Sequence, residues 1–440
     1  MTCTVAFATL GCRLNQVDTQ EMQARLESRG FQTVDFDEPA DVVVVNSCTV
    51  TSRADFSDWQ MIRRAARRNP GARLVVTGCW AQTDPAAAAA TGVDLVVGNA
   101  EKARIAELIE QLVADGGRPP GAPARLAVGD VRRARTIEEA PFPRAPRRSR
   151  AFLKVQEGCQ HRCAFCIVPL ARGVSRSLAP EIVRDQVGRL VDAGHLEIVL
   201  TGVDLGHYGA DLAPRTTLAA LIHRIAEIPR LRWIRLSSVL PAYFTPELIE
   251  AVTASPNVAP HLHIPLQSGS DRVLRLMRRP YNVRMYRALI ERLASAMPGL
   301  GLGADVIVGF PGESETDFAA TRALIDALPF SYLHVFTYSD RKGTEAAGLP
   351  ERVHSRTAAA RSEVLRTLAR AKARAFREAM IGRTCDALVL ETRDRATGGL
   401  VALTGNYVEV VVDGPQSLMR RIVQVRITGV DGDRTLGDLA

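Results

Sequence analysis

Three cysteines within eight residues constrain this chain more than any other feature: Gly158-Cys159-Gln160-His161-Arg162-Cys163-Ala164-Phe165-Cys166. They directly follow an apolar run, 152–156, that reads as a strand. A short loop at a strand end brings thiolates at this spacing onto three corners of one iron–sulfur cluster. The fourth iron then lacks a protein ligand. Such an iron can bind and reduce a small molecule, whereas a fully ligated cluster mainly carries electrons. The competing reading is a zinc site, which usually asks for four closed nitrogen or sulfur ligands. His161 lies two residues from both Cys159 and Cys163, badly placed to share their metal, and no second Cys-x-x-Cys follows. Spacing and context favour the cluster. A zinc-stabilised binding protein and a non-catalytic iron–sulfur RNA-binding module stand as alternatives from other classes.

A chain of 440 residues has room for roughly two to four domains. Its 46% hydrophobic and 24% charged residues are ordinary for a globular protein. No apolar run approaches the roughly eighteen residues of a membrane span, and the first residues lack a basic leader and a cleavage-like site. Eight cysteines in so long a chain are not a disulfide framework. A reducing, cytoplasmic setting with no membrane is expected. The net charge of +8 favours a polyanionic partner without identifying one.

Apolar runs at 5–10, 42–45, 74–77 and 95–97 alternate with helical patterns such as 20–29 and 58–68. This predicts a βαβ layout, hence an α/β first domain (1–115) built on an open, doubly wound parallel sheet. The first three strands each end in a cysteine: Cys12, Cys48 and Cys79. Ligands bind outside the carboxyl ends of such strands. The three thiols should therefore converge as a second three-cysteine cluster site, although 36 and 31 residues separate them. The plainer alternative is that they cap the strands as small hydrophobes.

Residues 116–148 read as a basic, Pro-rich linker, with nine Arg against three acids between Arg118 and Arg150. A merely solubilising linker and a nucleic-acid contact both suit that composition. Six further strands near 152–156, 197–201, 233–236, 261–264, 304–308 and 333–337 predict a partial (βα)6 barrel in a domain spanning 149–376. Its chemistry should sit in loops at the strand C-termini. Residues 351–378 read as one helix, with Arg366, Arg370, Arg374 and Arg377 on one face and Leu365, Leu368 and Phe376 on another. From 377 to 440 the period falls to two, at 386–391, 400–404, 408–412 and 422–430, which predicts a small antiparallel β-barrel.

Cys-x3-Cys-x2-Cys with an aromatic before the last cysteine resembles the radical S-adenosylmethionine (SAM) enzymes. The longer run GCQHRCAFCIVPLARGVSRS resembles their methylthiotransferase branch. GCRLNQ around Cys12 and NSCTVT around Cys48 are most similar to its MtaB type, which acts on threonylcarbamoyladenosine beside the anticodon of transfer RNA. Ser47 stands where the family has Thr, which keeps a hydroxyl. The alternatives within the branch act on isopentenyladenosine in tRNA or on an aspartate of a ribosomal protein.

The resemblance implies a 4Fe-4S cluster on Cys159, Cys163 and Cys166 whose open iron holds SAM. It implies a second 4Fe-4S cluster on Cys12, Cys48 and Cys79 that holds a sulfur species. A 5′-deoxyadenosyl radical would abstract hydrogen from the substrate, a second SAM would supply the methyl, and the product would carry a methylthio group at carbon 2 of the adenine. Phe165 is implied to pack on the SAM adenine. The strand-end segments carrying Gly202, Asp204, Ser237, Gln267 and Gly309 are implied to line the SAM pocket. An ordinary core aromatic at Phe165 and a turn-forming role at Asp204 remain open readings. His261 and His263 read as hydrogen-bonded core residues rather than bases. The C-terminal barrel resembles the TRAM domain, associated with RNA binding. Yet residues 381–440 hold seven Arg and eight acids, an awkward balance for a phosphate-binding surface. Basic charge stands instead at Arg63, Arg64, Arg67 and Arg68, in the linker and on the 351–378 helix. Cys3 and Cys385 match no motif and read as buried thiols. The implied partners are a tRNA anticodon loop, an electron donor of flavodoxin or ferredoxin type and an unspecified sulfur donor. One chain contains every required part, so a monomer is expected.

Overall fold

The computed structural model describes residues 2–116, 118, 119, 121–141 and 149–440. The chain divides into two compact units. One comprises Met1–Ala145, Gln156–Ser177 and Ser339–Ala347; the other comprises Pro146–Val155, Leu178–Tyr338 and Gly348–Ala440.

The first unit is built on six parallel strands in the order Gln32–Val34, Thr4–Thr9, Val42–Ser47, Arg73–Gly78, Leu95–Val97, Arg125–Ala127. Val42–Ser47 is buried along its whole length, as a central strand covered on both faces must be. Val42 and Val44 pack with Met22, Leu26 and Ile109 on one side of the sheet. Val45 packs with Ile62, Trp80 and Ala88 on the other. The alternation of side chains along one run of valines thus supplies two cores, which makes the sheet doubly wound. The chain order reverses between Thr4–Thr9 and Val42–Ser47, so the switch point lies where Cys12 and Cys48 follow those strands.

The stretch read as a linker from 116 begins as structure. Arg125–Ala127 is the sixth strand, and Val131–Arg133 forms a 3₁₀ turn with Val131 buried. Three residues flanked by Pro and Arg are too few to show a period of two. Pro120, Pro143, Pro146, Arg144, Arg147 and Arg148 of that stretch lie outside the described residues.

The second unit contains six parallel strands in two sets of three. One set is Trp233–Leu236, Glu197–Thr201 and Arg150–Lys154; the other is His261–His263, Gly301–Val308 and Tyr332–Thr337. A parallel bridge from Ile234 to Val258 joins the sets. The intervening helices start at chemically apt caps. Thr217, Thr245 and Asn282 each accept a first-turn amide, and Ser314 forms a reciprocal capping box with Asp317. The expected six-stranded partial barrel is the observed one. Its first strand starts two residues earlier than the apolar run, because Arg150 pairs in register with Glu197.

After the helix Ser355–Glu378, five strands close a small barrel: Thr384–Arg393, Leu400–Thr404, Glu409–Val412, Arg434–Leu439, Ile422–Asp431. It is not wholly antiparallel. Val410 and Val411 pair in parallel with Thr435 and Leu436. A ring of five strands cannot alternate direction at every seam, so one parallel seam is a geometric necessity. The strand Arg434–Leu439 supplies it and was not among the expected runs. Cys3 and Cys385 are only partly buried, against the first sheet's core and the barrel's core.

Candidate functional site

In the first unit each strand-end cysteine stands where a backbone turn fixes it. Cys12 is the exposed N-cap of helix Arg13–Ser28. Cys48 follows Val42–Ser47 and is 4% exposed, and buried Cys79 opens the short helix Cys79–Thr83. Two glycines bring the strand ends together. Gly11 has φ +92°, and a Cβ on it would fall 2.6 Å from both Cβ and Sγ of Cys48. Gly78 has φ +101°, and its Cβ would fall 2.3 Å from the Ser47 carbonyl oxygen. Only glycine tolerates both that conformation and that contact. The residues following these glycines, Cys12 and Cys79, are therefore held beside the Cys48 turn.

Buried polar side chains stitch the same turns. Asn15 Nδ2 donates to the carbonyls of Leu10 and Ser47, each at 2.8 Å. Asn46 Nδ2 donates to Asn15 O at 2.8 Å. The Ser47 hydroxyl donates to Thr77 O and accepts from Ala81 N, a bridge to the next strand that a threonine hydroxyl would equally supply. Burial pushes the Cys48 thiol up to about 12; a backbone hydrogen bond at Val50 opposes the rise, and Cys79, Cys12 and Asp58 add to it. Asp58, whose Oδ2 accepts from Cys48 N at 3.0 Å, is itself pushed up to about 8 by burial. Metal coordination converts such buried thiols to thiolates.

The three-cysteine loop belongs to the same unit. Its base is a two-residue antiparallel pair, Gln156–Glu157 with Arg176–Ser177. Gly158 has φ +73°, and a Cβ there would fall 1.9 Å from Val174 O. Cys159 N donates to Gly173 O at 3.0 Å and Cys166 N to Cys163 O at 3.1 Å. Gln156 Nε2 donates to Glu157 O, Gly158 O and Ser175 Oγ, which fixes the loop's entry. Cys159, Cys163, Phe165 and Cys166 are all partly exposed. None of the eight cysteines is in a disulfide. Each trio is a soft donor set of three sulfurs on tightly held turns, which suits a thiolate-bound iron–sulfur cluster and leaves tetrahedral zinc one ligand short.

The sequence reading missed the cation beside these thiols. Helix Val168–Arg172 ends on Arg172, which is 2% exposed. Its Nη1 donates to Glu157 Oε1 at 2.8 Å, and its Nη2 donates to Asp18 Oδ2 at 2.9 Å and to Asn15 Oδ1. Lys102 Nζ also reaches Asp18, at 2.7 Å. Burial opposes the charge on Arg172, but Asp18, Cys79, Glu157 and Cys12 more than restore it. Asn99 Nδ2 donates to Ala171 O at 2.7 Å and lies 3.8 Å from Cys79 Sγ. Asn15 and Arg172 lie inside the quoted runs GCRLNQ and PLARG, but nothing in residue type or spacing gave them a role. Asn99 had no signal at all.

The other candidates lie in the second unit. Gly202 N meets Ser237 Oγ at 3.4 Å, which joins the ends of two neighbouring strands. Asp204 is buried, and its Oδ2 accepts from Tyr243 Oη at 3.0 Å. Gln267, at φ +65°, exchanges backbone hydrogen bonds with Asp305 O and Ile307 N. Gly309 donates to Glu313 Oε2 at 2.7 Å, and a Cβ on it would fall 2.6 Å from Ala358 Cβ, so close helix packing by itself requires this glycine. His261 and His263 are buried and both meet Tyr332 Oη, as hydrogen-bonded core residues do.

Comparison with known proteins places these features in a wider set. Residues 4–98 match the family described as Uncharacterized protein family UPF0004, and residues 153–325 match the Radical SAM superfamily. The chain is 39% identical to the threonylcarbamoyladenosine tRNA methylthiotransferase MtaB of Bacillus subtilis, over 96% of this chain and 93% of the relative. It is 38% identical to the MtaB of Aquifex aeolicus, over 93% and 97%. It is 34% identical to the tRNA-2-methylthio-N(6)-dimethylallyladenosine synthase of Moorella thermoacetica, over 97% and 96%. Among solved structures, the radical S-adenosylmethionine methyltransferase TsrM of Kitasatospora setae, with cobalamin and a [4Fe-4S] cluster bound, shares the fold. The TM-score is 0.59 and the identity 16%, over 79% of this chain and 77% of that one.

Proposed function

The chain belongs to the radical SAM methylthiotransferase family, and from that premise we propose that it attaches a methylthio group to carbon 2 of threonylcarbamoyladenosine in tRNA. Two three-cysteine sets support the reading. Radical generation needs only one, and sulfur insertion gives the second a purpose. Cys159, Cys163 and Cys166 would hold the 4Fe-4S cluster that supplies one-electron cleavage of SAM. Cys12, Cys48 and Cys79 would hold the 4Fe-4S cluster that supplies sulfur. An aromatic C–H bond is beyond acid–base help, which is why cofactors carry the hard step.

The chain's own residues do the positioning. Gly11, Gly78 and Asn15 set the strand-end thiols at fixed separations. Gln156 and Gly158 set the entry of the loop. Arg172 keeps a positive charge beside thiolates that gather negative charge. Phe165 is assigned to the SAM adenine, and Gly202, Asp204, Ser237, Gln267 and Gly309 to the SAM pocket. The tRNA anticodon loop suits such an enzyme, because its unstacked bases can be extruded for chemistry. Arg64 and Arg68 on the basic helix both pair with Asp37. No helix among the described residues is long and apolar enough to cross a membrane. The cytoplasm is the expected location, and a monomer using a flavodoxin- or ferredoxin-like donor the expected form.

Nucleoside mass spectrometry of tRNA from a strain lacking the gene tests the proposal. Loss of the methylthio mark from threonylcarbamoyladenosine, with the unthiolated nucleoside accumulating, is expected. Loss from isopentenyladenosine instead would move the assignment to the sister type, and unchanged nucleosides would refute both.

A further inference from the structure

The inner wall of the partial barrel carries a run of polar contacts that neither cluster nor the assigned SAM residues require. His334 Nδ1 meets Asp305 Oδ1 at 3.2 Å, and His263 Nε2 meets the same oxygen at 3.1 Å. His263 Nδ1 meets Tyr332 Oη at 3.1 Å, and Tyr332 Oη meets His261 Nε2 at 2.8 Å. Three neighbouring strands contribute, in register. His263 is opposite Gly303, Gly303 is opposite Tyr332, and Asp305 is opposite His334. A Cβ on Gly303 would fall 2.0 Å from the Tyr332 ring, so the glycine makes room for the tyrosine to reach both histidines. The alternate residues Leu302, Ala304, Val306 and Val308 form the buried outer face.

The run is sealed at one end and open at the other. His261 is 1% exposed, whereas the His334 side chain is 56% exposed. Phe336, two residues on and so on the same face, is 40% exposed and meets His334 edge-on. Burial pushes the Asp305 carboxyl up, but hydrogen bonds from His263 and His334 reverse this and hold it below the usual carboxylate range. Asp305 therefore stays an anion that fixes His334 through Nδ1. The other nitrogen, Nε2, has no partner among the described residues. An open position on an inward-facing wall offers a ring acceptor at a set angle and an aromatic face beside it.

We propose that His334, oriented by Asp305 and flanked by Phe336, is a substrate subsite for the hydroxy-amino-acid tail of a modified purine. Phe336 packs on apolar parts of the nucleoside, and His334 Nε2 accepts a hydrogen bond from the tail's hydroxyl. A prenyl tail would strip water from His334 and Asp305 and return no hydrogen bond, a mismatch that discriminates strongly. The subsite rests on the reading of threonylcarbamoyladenosine as substrate and adds the residues that select it.

The test uses the cluster-loaded chain and anticodon stem-loops carrying either threonylcarbamoyladenosine or isopentenyladenosine, with product followed by mass spectrometry. His334→Phe should raise KM for the first substrate at least tenfold and lower its preference over the second by at least that factor. His334→Gln, which keeps an acceptor, should recover most of the loss. Melting temperature and iron content check that each variant is folded and loaded. An unchanged KM and preference in His334→Phe would overturn the subsite alone. A parent enzyme that thiolates only isopentenyladenosine would overturn both the subsite and the substrate reading. His263, Asp305 and His334 offer ligand atoms within 4.8 Å of one another. Zinc retained through dialysis by the parent and lost in Asp305→Asn would replace the subsite with a cation site.

Discussion

The two cysteine trios are built in opposite ways. Cys159, Cys163 and Cys166 come together within one loop, whose base is a two-residue strand pair. Cys12, Cys48 and Cys79 come from three strand ends and meet only because a parallel sheet has formed. The loop depends on local hydrogen bonds such as Cys159 N to Gly173 O. The distant trio depends on backbone approach at Gly11 and Gly78 and on the buried amide of Asn15. A ligand set made locally should survive partial loosening of the fold, and one made by tertiary packing should not.

The most drastic way to separate them removes a ligand from each. Cys48→Ser and Cys163→Ser should each lower the bound iron from about eight to about four per chain and abolish methylthio product. Iron and sulfide assays after anaerobic reconstitution check this. Only Cys48→Ser should retain SAM-dependent formation of 5′-deoxyadenosine.

Arg172 touches elements of both trios. Arg172→Met leaves Asp18 and Glu157 short of a buried cation and should destabilise the chain by about 3–5 kcal/mol. Arg172→Lys should cost less and shift the midpoint potential of the strand-end cluster less. Urea unfolding and potentiometric titration followed by EPR read the two effects separately.

A smaller perturbation sharpens the contrast. Gly78→Ala should cost about 1–3 kcal/mol or more and reduce iron retained at the strand-end site. Gly158→Ala should do the same to the loop site. Site-resolved Mössbauer spectra distinguish the two, and equal loss at both sites in either variant would break the comparison.

The smallest effect lies in the second unit, as a control remote in sequence from both trios. Burial raises the Asp317 carboxyl, but hydrogen bonds from Arg272, Ser270 and Ser314 outweigh this and hold it below the ordinary carboxylate range. A depressed folded value means the contribution is present at neutral pH and is lost as pH falls below about 4. Asp317→Asn should cost about 1–2 kcal/mol at pH 7 and less at pH 3, read from urea midpoints at the two values.

Much of this is legible in the sequence. Runs of valine and period-two stretches located most strands because they report burial on one or both faces. The short edge strands Gln32–Val34 and Arg125–Ala127 were not legible, since three residues carry too little pattern and their partners are set elsewhere. The parallel seam of the five-stranded barrel was missed because strand count decides it, and the last strand was not foreseen. In the candidate site, cysteine spacing and strand-end position singled out six thiols, which the structure places in one loop and after three strands. Arg172, Asn99 and the His334–Asp305–His263 contacts were invisible, because polar residues in a helix or mid-strand look alike whether they face water or one another.

Residue type and spacing alone determined which atoms are available for chemistry: three thiols in one loop and three more after apolar strands. Chain connectivity is local, so a Cys-x3-Cys-x2-Cys loop carries its own geometry. Only the tertiary structure decided that Gly11 lies against Cys48, that Gly78 lies against Ser47, and that a buried arginine stands beside two of the thiols. Those contacts join residues tens to over a hundred positions apart, and they exist only once burial of the two sheet faces has fixed the strands in register.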